Sequence, residues 1–294
     1  MPKKPAGEFT SAGNFQPQQL RQGAEQSTLP RMTPRTHTPR KRFGQNFLQD
    51  PGVIAGIANA IHPQPGEHLV EIGPGQGALT AALISREIRL DVVELDRDLV
   101  TGLLAAFSIY PGFKLHSADA LTFDFAALAR DGVPLRVVGN LPYNISTPLL
   151  FRLLDFAPMV QDMHFMLQLE VVNRLAASPG SKHWGRLGIM AQYHCAVEHL
   201  FDVPPEAFFP PPKVQSAIVR LTPYQQSPWP ECDVHGLRTL VQAAFAQRRK
   251  TLRNNLKGIL DDATLADLGV DPGCRAETLQ LEDFIHMANY LGNN

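Results

Sequence analysis

The chain has few cysteines and lacks the residue patterns that build metal centres, disulfides and membrane spans. Its 294 residues include three cysteines, Cys195, Cys232 and Cys274, set far apart. That spacing matches neither a zinc site nor a redox pair. It fits a reducing cytoplasm in which the thiols are buried and inert. The ten histidines show no metal-ligand spacing, so no metal site is expected. No apolar run approaches the roughly 20 residues of a membrane helix, and no signal-peptide core follows Met1. Membrane insertion and export are therefore not expected. An excess of one charge is missing too: the formal net charge is -1, so any contact with a polyanion must be local. What the chain does have is 44% hydrophobic content, over a length that supports one large core or a large domain with a small one.

Residues 1–38 read as a flexible tail, rich in Gln, Pro, Thr, Ser and Gly and without hydrophobic period. Its Lys3, Lys4, Arg21, Arg31 and Arg35 outnumber Glu8 and Glu25, which suits an idle solvated extension or a weak brush against RNA. Residues 39–224 alternate short apolar strands with helical periods. Strands are expected near 68–72, 89–95, 113–118, 135–139 and 161–168. That alternation argues an α/β fold with a mostly parallel, doubly wound sheet. Two further strand-like runs, 194–201 and 214–221, flank a proline-rich connection and suit an antiparallel pair at one edge. Five parallel strands and a late pair give a Rossmann-like sheet of seven strands, not the six of a dinucleotide fold. Residues 225–294 lose the strand signal and read as a small helical C-terminal domain, with Val241, Phe245, Leu252, Leu256 and Leu260 at helical spacing.

Two loops carry the chemistry. Val70-Glu71-Ile72-Gly73-Pro74-Gly75-Gln76-Gly77 leaves a strand and opens a helix, and its glycines let the backbone approach a ligand closely. By itself the stretch also satisfies the dinucleotide fingerprint, with Glu94 about 20 residues on as a ribose-binding acid. Glu71 ahead of Gly73, and Asp119 after the third strand, favour an S-adenosylmethionine site instead. Asp119 serves equally well as a plain helix cap. The second loop, Asn140-Leu141-Pro142-Tyr143, follows the apolar run 135–139. It resembles the catalytic loop of enzymes that methylate a planar amino nitrogen. An exocyclic adenine amine is a poor nucleophile. The Asn140 oxygen and the Leu141 carbonyl suit acceptance of its N–H groups, Tyr143 suits stacking, and Pro142 stiffens the turn. An Asn-initiated turn with a buried tyrosine is the bland alternative.

Taken together, residues from about Arg40 to near the C-terminus resemble the ribosomal RNA adenine N6,N6-dimethyltransferase family, in particular its small-subunit branch. Three further stretches carry the resemblance: Lys41-Arg42-Phe43-Gly44-Gln45-Asn46-Phe47-Leu48, Asn144-Ile145-Ser146-Thr147-Pro148 and Phe208-Phe209-Pro210-Pro211-Pro212-Lys213-Val214-Gln215-Ser216. The resemblance implies a seven-stranded methyltransferase sheet and S-adenosylmethionine as cofactor. It puts Asn46 and Leu48 on the cofactor with Gln45 nearby, Gly73 and Gly75 on its methionine side, Glu94 on its ribose, Asp119 on its adenine, and Asn140 between cofactor and target. It implies 16S rRNA within a pre-30S small subunit as substrate, cytoplasmic action and a monomer.

For RNA contact, Lys41 and Arg42, Phe209, and the basic run Arg248, Arg249, Lys250 and Arg253 are the candidates, with a plain solvated face for the run and core or hairpin packing for Phe209 as the alternatives. Arg249, Arg253 and Lys257 are expected to share one helix face by their spacing of four. Rival readings are the large-subunit rRNA methyltransferases of macrolide resistance, a non-catalytic assembly or transcription factor on the same fold, and an NAD-dependent oxidoreductase.

Overall fold

The computed structural model describes residues 45–292 apart from Arg86 and Arg130. The expected tail, with Lys41 and Arg42, lies outside the described residues. In chain order the elements are β1 (Phe47–Leu48), α1 (Pro51–Ile61), β2 (His68–Ile72), α2 (Ala78–Leu83), β3 (Arg89–Glu94), α3 (Arg97–Phe107), β4 (Phe113–Ser117), β5 (Leu135–Asn140), α4 (Ser146–Leu154), β6 (Val160–Gln168), α5 (Leu169–Leu175), α6 (Arg186–His194), β7 (Cys195–Val203), β8 (Phe208–Phe209), β9 (Ser216–Pro223), α7 (Val234–Ala244), α8 (Leu252–Asn255), α9 (Asp262–Asp267) and α10 (Leu281–Gly292).

One sheet runs β4-β3-β2-β5-β6-β9-β7. The first five strands of that order are parallel, and β9 runs antiparallel to both β6 and β7. All five residues of β2 are buried, as a central parallel strand covered on both faces requires. At the edge, β7 exposes Glu198 and His199, polar groups that suit a strand with one unpaired side.

Side-chain alternation sends the two faces of the sheet into two cores. Leu69, Leu90, Val92, Val138 and Ile218 pack with α1, α2 and α3. Val70, Val93, Val137, Phe165 and Val219 pack with α4, α5 and α6, and that core continues through Trp184 into Leu240, Leu256 and Phe284. The helices from α7 onward thus share apolar interior with the sheet. Trp184 Nε1 donates to Leu279 O at 2.9 Å across that junction. Helix starts follow local chemistry: Asp50 accepts from Val53 N at the head of α1, with Pro51 behind it, and Asp233 accepts from His235 N and Gly236 N at the head of α7.

Three expectations need correction. The seven strands of the sheet lie where the sequence puts them, to within about two residues, but the small antiparallel pair of β1 and β8 is additional. Two residues per strand are too few for a period-2 signal. The basic run is not one helix face. α7 ends at Ala244, α8 covers only Leu252–Asn255, and residues between them form turns. Tertiary bonds impose the break: Asn255 Nδ2 donates to Ala244 O at 2.7 Å, and Leu252 N to Cys274 O at 2.9 Å. Of the cysteines only Cys195 is buried, its thiol pushed up to about 12 by burial, whereas Cys232 and Cys274 are half-buried.

Candidate active site

A cavity of about 340 Å³ opens at the C-terminal ends of β2, β3, β5 and β6, where ligands bind in open α/β sheets. It gathers Gln45, Asn46, Leu48, Gly73, Gly75, Glu94, Asp119, Asn140, Leu141, Pro142 and Tyr143. Every residue expected of the cofactor and catalytic loops therefore borders one space. Phe209 and the basic run do not.

The glycine loop forms one wall. Gly75 has φ 58°, which favours glycine, and a Cβ there would come within 3.1 Å of the Phe47 ring and press on the N-terminal segment that closes over the loop. Beneath it Glu71 is buried, and Thr80 Oγ1 donates to its Oε2 at 2.6 Å. Burial, only partly opposed by that bond and reinforced by the nearby Glu94 charge, pushes the Glu71 carboxyl up to about 7. Glu94 is raised as well, again chiefly by burial. Its two oxygens accept from Asp96 N at 2.7 Å and Gly75 N at 3.3 Å, which fixes the carboxylate against the loop. Asp119 accepts from Leu121 N at 2.9 Å. It thus makes the turn-capping bond and lines the cavity at once.

The opposite wall is the loop leaving β5. A Cβ on Gly139 would sit 2.5 Å from Ile72 O, so glycine here brings the loop tight against β2. Leu141 N donates to Met166 O at 3.2 Å. That bond fixes the peptide while the Leu141 carbonyl keeps no backbone partner among the described residues. Asn140 Nδ2 donates to Asn46 O at 3.0 Å, which turns its Oδ1 to the other side of the amide as an acceptor. Tyr143 is half-buried, and its hydroxyl lies 2.7 Å from Ser216 Oγ.

The N-terminal segment covers both walls. Gln45 Nε2 donates to Asp96 Oδ2 at 2.9 Å, and Phe47 and Leu48 pair with Phe209 and Phe208. Phe208 is buried and Phe209 is 57% exposed, so only the second has a free ring face near the rim. Among the basic candidates, Arg248 Nε donates to Glu277 at 3.0 Å and Arg253 Nε to Asp262 at 2.7 Å. Both charges are partly spent within the chain. Arg249 and Lys250 are exposed on the turn.

Sequence reasoning missed Asp96, Thr80, Met166 and Ser216 as supports of the site. The Asp96 cap on α3 has a local signal. Ser216 has none near Tyr143 in the chain, because 73 residues separate the two.

Comparison with known proteins agrees with this geometry. The family model for ribosomal RNA adenine dimethylase matches residues 36–293. A ribosomal RNA small subunit methyltransferase A from Pseudomonas aeruginosa is 59% identical over 255 residues, 87% of this chain and 95% of that protein. One of the same name from Chromohalobacter salexigens is 57% identical over 262 residues, 88% of this chain and 93% of its own. Among solved structures, a dimethyladenosine transferase from Plasmodium falciparum superposes with a TM-score of 0.69 at 25% identity, covering 84% of this chain and 98% of that one. The 23S rRNA methyltransferase ErmE superposes at 0.64 with 26% identity, covering 84% and 100%.

Proposed function

The chain belongs to the ribosomal RNA adenine dimethylase family, and from that premise we propose that it dimethylates N6 of two adjacent adenosines near the 3′ end of 16S rRNA. It is a methyltransferase, and S-adenosylmethionine is its methyl donor. The residues present fit that group. Gly75 turns with φ 58° and donates its N–H to Glu94 at 3.3 Å in the cavity wall, a glycine turn that lets a ligand come close to the backbone. Glu71 and Glu94 are buried acids with no ion pair among the described residues, which suits a cationic ligand rich in hydroxyl donors. Gly73 and Gly75 would flank its methionine side, with Gln45, Asn46 and Leu48 as the cover, Glu94 on the ribose and Asp119 on the adenine.

When bound, S-adenosylmethionine supplies a methyl already activated by its sulfonium charge. What the protein adds is alignment, which can be worth about 7–11 kcal/mol. Asn140 Oδ1 and the Leu141 carbonyl accept from the target amine and aim its nitrogen. Tyr143 stacks on the base, and Pro142 holds the turn. The base must first leave its RNA stack, at a cost of a few kcal/mol. The amine surrenders one N–H for each methyl gained, so one donor is left for the two acceptors at the second transfer.

The juxtaposition of the Asn140–Tyr143 loop with the buried Glu94 carboxylate around one cavity carries this reading. Identity of 59% to a small-subunit enzyme, against 26% to a 23S enzyme, favours the small subunit. On the same reading the enzyme works as a monomer in the cytoplasm on a pre-30S particle, with Arg249, Lys250 and Phe209 turned to RNA along with Lys41 and Arg42. To test it, the protein is incubated with labelled S-adenosylmethionine and unmethylated small subunits, and modified nucleotides are mapped. N6,N6-dimethyladenosine at two adjacent positions near the 3′ end is expected. Modification of large-subunit RNA, or equal activity on short naked oligonucleotides, overturns the assignment.

A further inference from the structure

We propose that Ser216 is a positioning residue for the target adenine, acting through the Tyr143 hydroxyl to hold the stacking ring through the second methyl transfer. The inference rests on the reading of Tyr143 as the stacking wall. Ser216 Oγ lies 2.7 Å from Tyr143 Oη. Ser216 is wholly buried and opens β9, where Gln168 of β6 and Val203 of β7 flank it in register. It is therefore an anchor that cannot shift without moving three strands.

Tyr143, by contrast, sits on a loop whose backbone is held at its ends, by Leu141 N to Met166 O and by Ile145 N to Pro142 O. Ser146 Oγ adds one bond to Tyr143 O at 3.2 Å. Those bonds fix the main chain. The far end of the ring is tethered by the hydroxyl, which keeps the side chain from swinging away from the loop. Burial raises the Tyr143 phenol above its ordinary range, so it stays protonated and the bond persists near neutral pH. Ser216 also ends the segment that begins at Phe209, so this one contact ties the loop after β5 to the loop that carries the exposed Phe209 ring.

The consequence differs between the two transfers. With two N–H donors, the unmodified amine can satisfy Asn140 Oδ1 and Leu141 O together, and those bonds orient the base. Monomethyladenine keeps one donor. Its orientation then depends more heavily on the wall, so a loosened Tyr143 penalises the second transfer more than the first.

The test compares Ser216→Ala, Tyr143→Phe and the double variant in single-turnover reactions on small subunits, with monomethyl and dimethyl products resolved. Tyr143→Phe keeps the ring and removes only the hydroxyl. Each single variant is expected to slow the second transfer about threefold to tenfold more than the first, the size of one lost hydrogen bond. Monomethyladenosine then accumulates, while cofactor affinity and melting temperature stay near wild type. The double variant should resemble either single one, because both remove the same bond. Multiplied effects in the double variant, equal slowing of both transfers, or a wild-type product ratio in Ser216→Ala would overturn the inference. Tyr143→Ala separates the underlying reading: wild-type transfer in that variant removes the stacking wall itself, and the inference with it.

Discussion

At the N-terminal ends of the parallel strands, buried and half-buried acids sit beside histidine and arginine side chains. Asp91 lies between His68 at 2.6 Å and His116 at 2.5 Å, and Arg136 binds Asp162 at 2.8 Å and Glu67 at 2.7 Å. Burial alone would raise the Asp91 carboxyl, yet the bonds from His116 and His68 hold it well below the usual carboxylate range. Asp162 is lowered against the same burial by the neighbouring His164 and Arg136. At the C-terminal ends of the same sheet, Glu71 and Glu94 are buried with hydroxyl and backbone donors instead, and both are raised. One sheet thus treats the same chemical group in two ways. Paired acids at one end tie strands together, while acids with no ion pair among the described residues at the other cost stability and mark the place where a ligand can supply what the protein withholds.

Breaking the paired end should give the largest effect. Arg136→Ala leaves Asp162 and Glu67 without their cation and is expected to destabilise the fold by about 3–5 kcal/mol, read by denaturant titration. Methyl transfer per folded molecule should hold. A parallel loss of specific activity would mean that the two ends are not separable.

Asn140→Ala should do the reverse, leaving the fold and cofactor affinity nearly intact while transfer falls about a hundredfold or more. Loss of one well-placed hydrogen-bonding group in a closed site costs on the order of 2.7–4 kcal/mol. Near-normal turnover would remove Asn140 from its role.

A smaller change is expected from Glu94→Ala, which removes charge-assisted bonds worth about 1.5–3 kcal/mol. Cofactor affinity measured by calorimetry should fall roughly tenfold to a hundredfold, with activity recovered at high cofactor concentration. An unchanged dissociation constant would show that Glu94 does not hold the ribose.

How much of this was readable beforehand depended on distance along the chain. Buried runs such as 68–72 and 135–139 announce strands because turn residues bound them, and Glu71, Gly73 and Gly75 announce the cofactor wall because they lie within five residues. The catalytic loop is likewise four consecutive residues. The contacts that aim those groups are not local. Asn140 meets Asn46 across 94 positions, Tyr143 meets Ser216 across 73, and Phe47 meets Phe209 in strands too short to leave a pattern. The basic run shows the converse error. Its spacing of four is real in the sequence, but tertiary bonds from Asn255 and Leu252 convert the segment into turns. The opposite states of the acids at the two ends were also illegible, because they depend on which side chains neighbouring strands bring alongside.

That contrast is tested most directly by the protons exchanged when cofactor binds. The Glu71 carboxyl, with its pKa near 7, is about half protonated at that pH. A bound cation favours its charged form and lowers the pKa, so S-adenosylmethionine binding should release a fraction of a proton near pH 7 and little above about pH 8.5, where Glu71 is already ionised. Calorimetry in buffers of different ionisation enthalpy measures that number. Release near pH 7 that Glu71→Gln abolishes is the expected result; no release, or release unchanged in Glu71→Gln, would contradict the view that Glu71 and Glu94 are held for the cofactor.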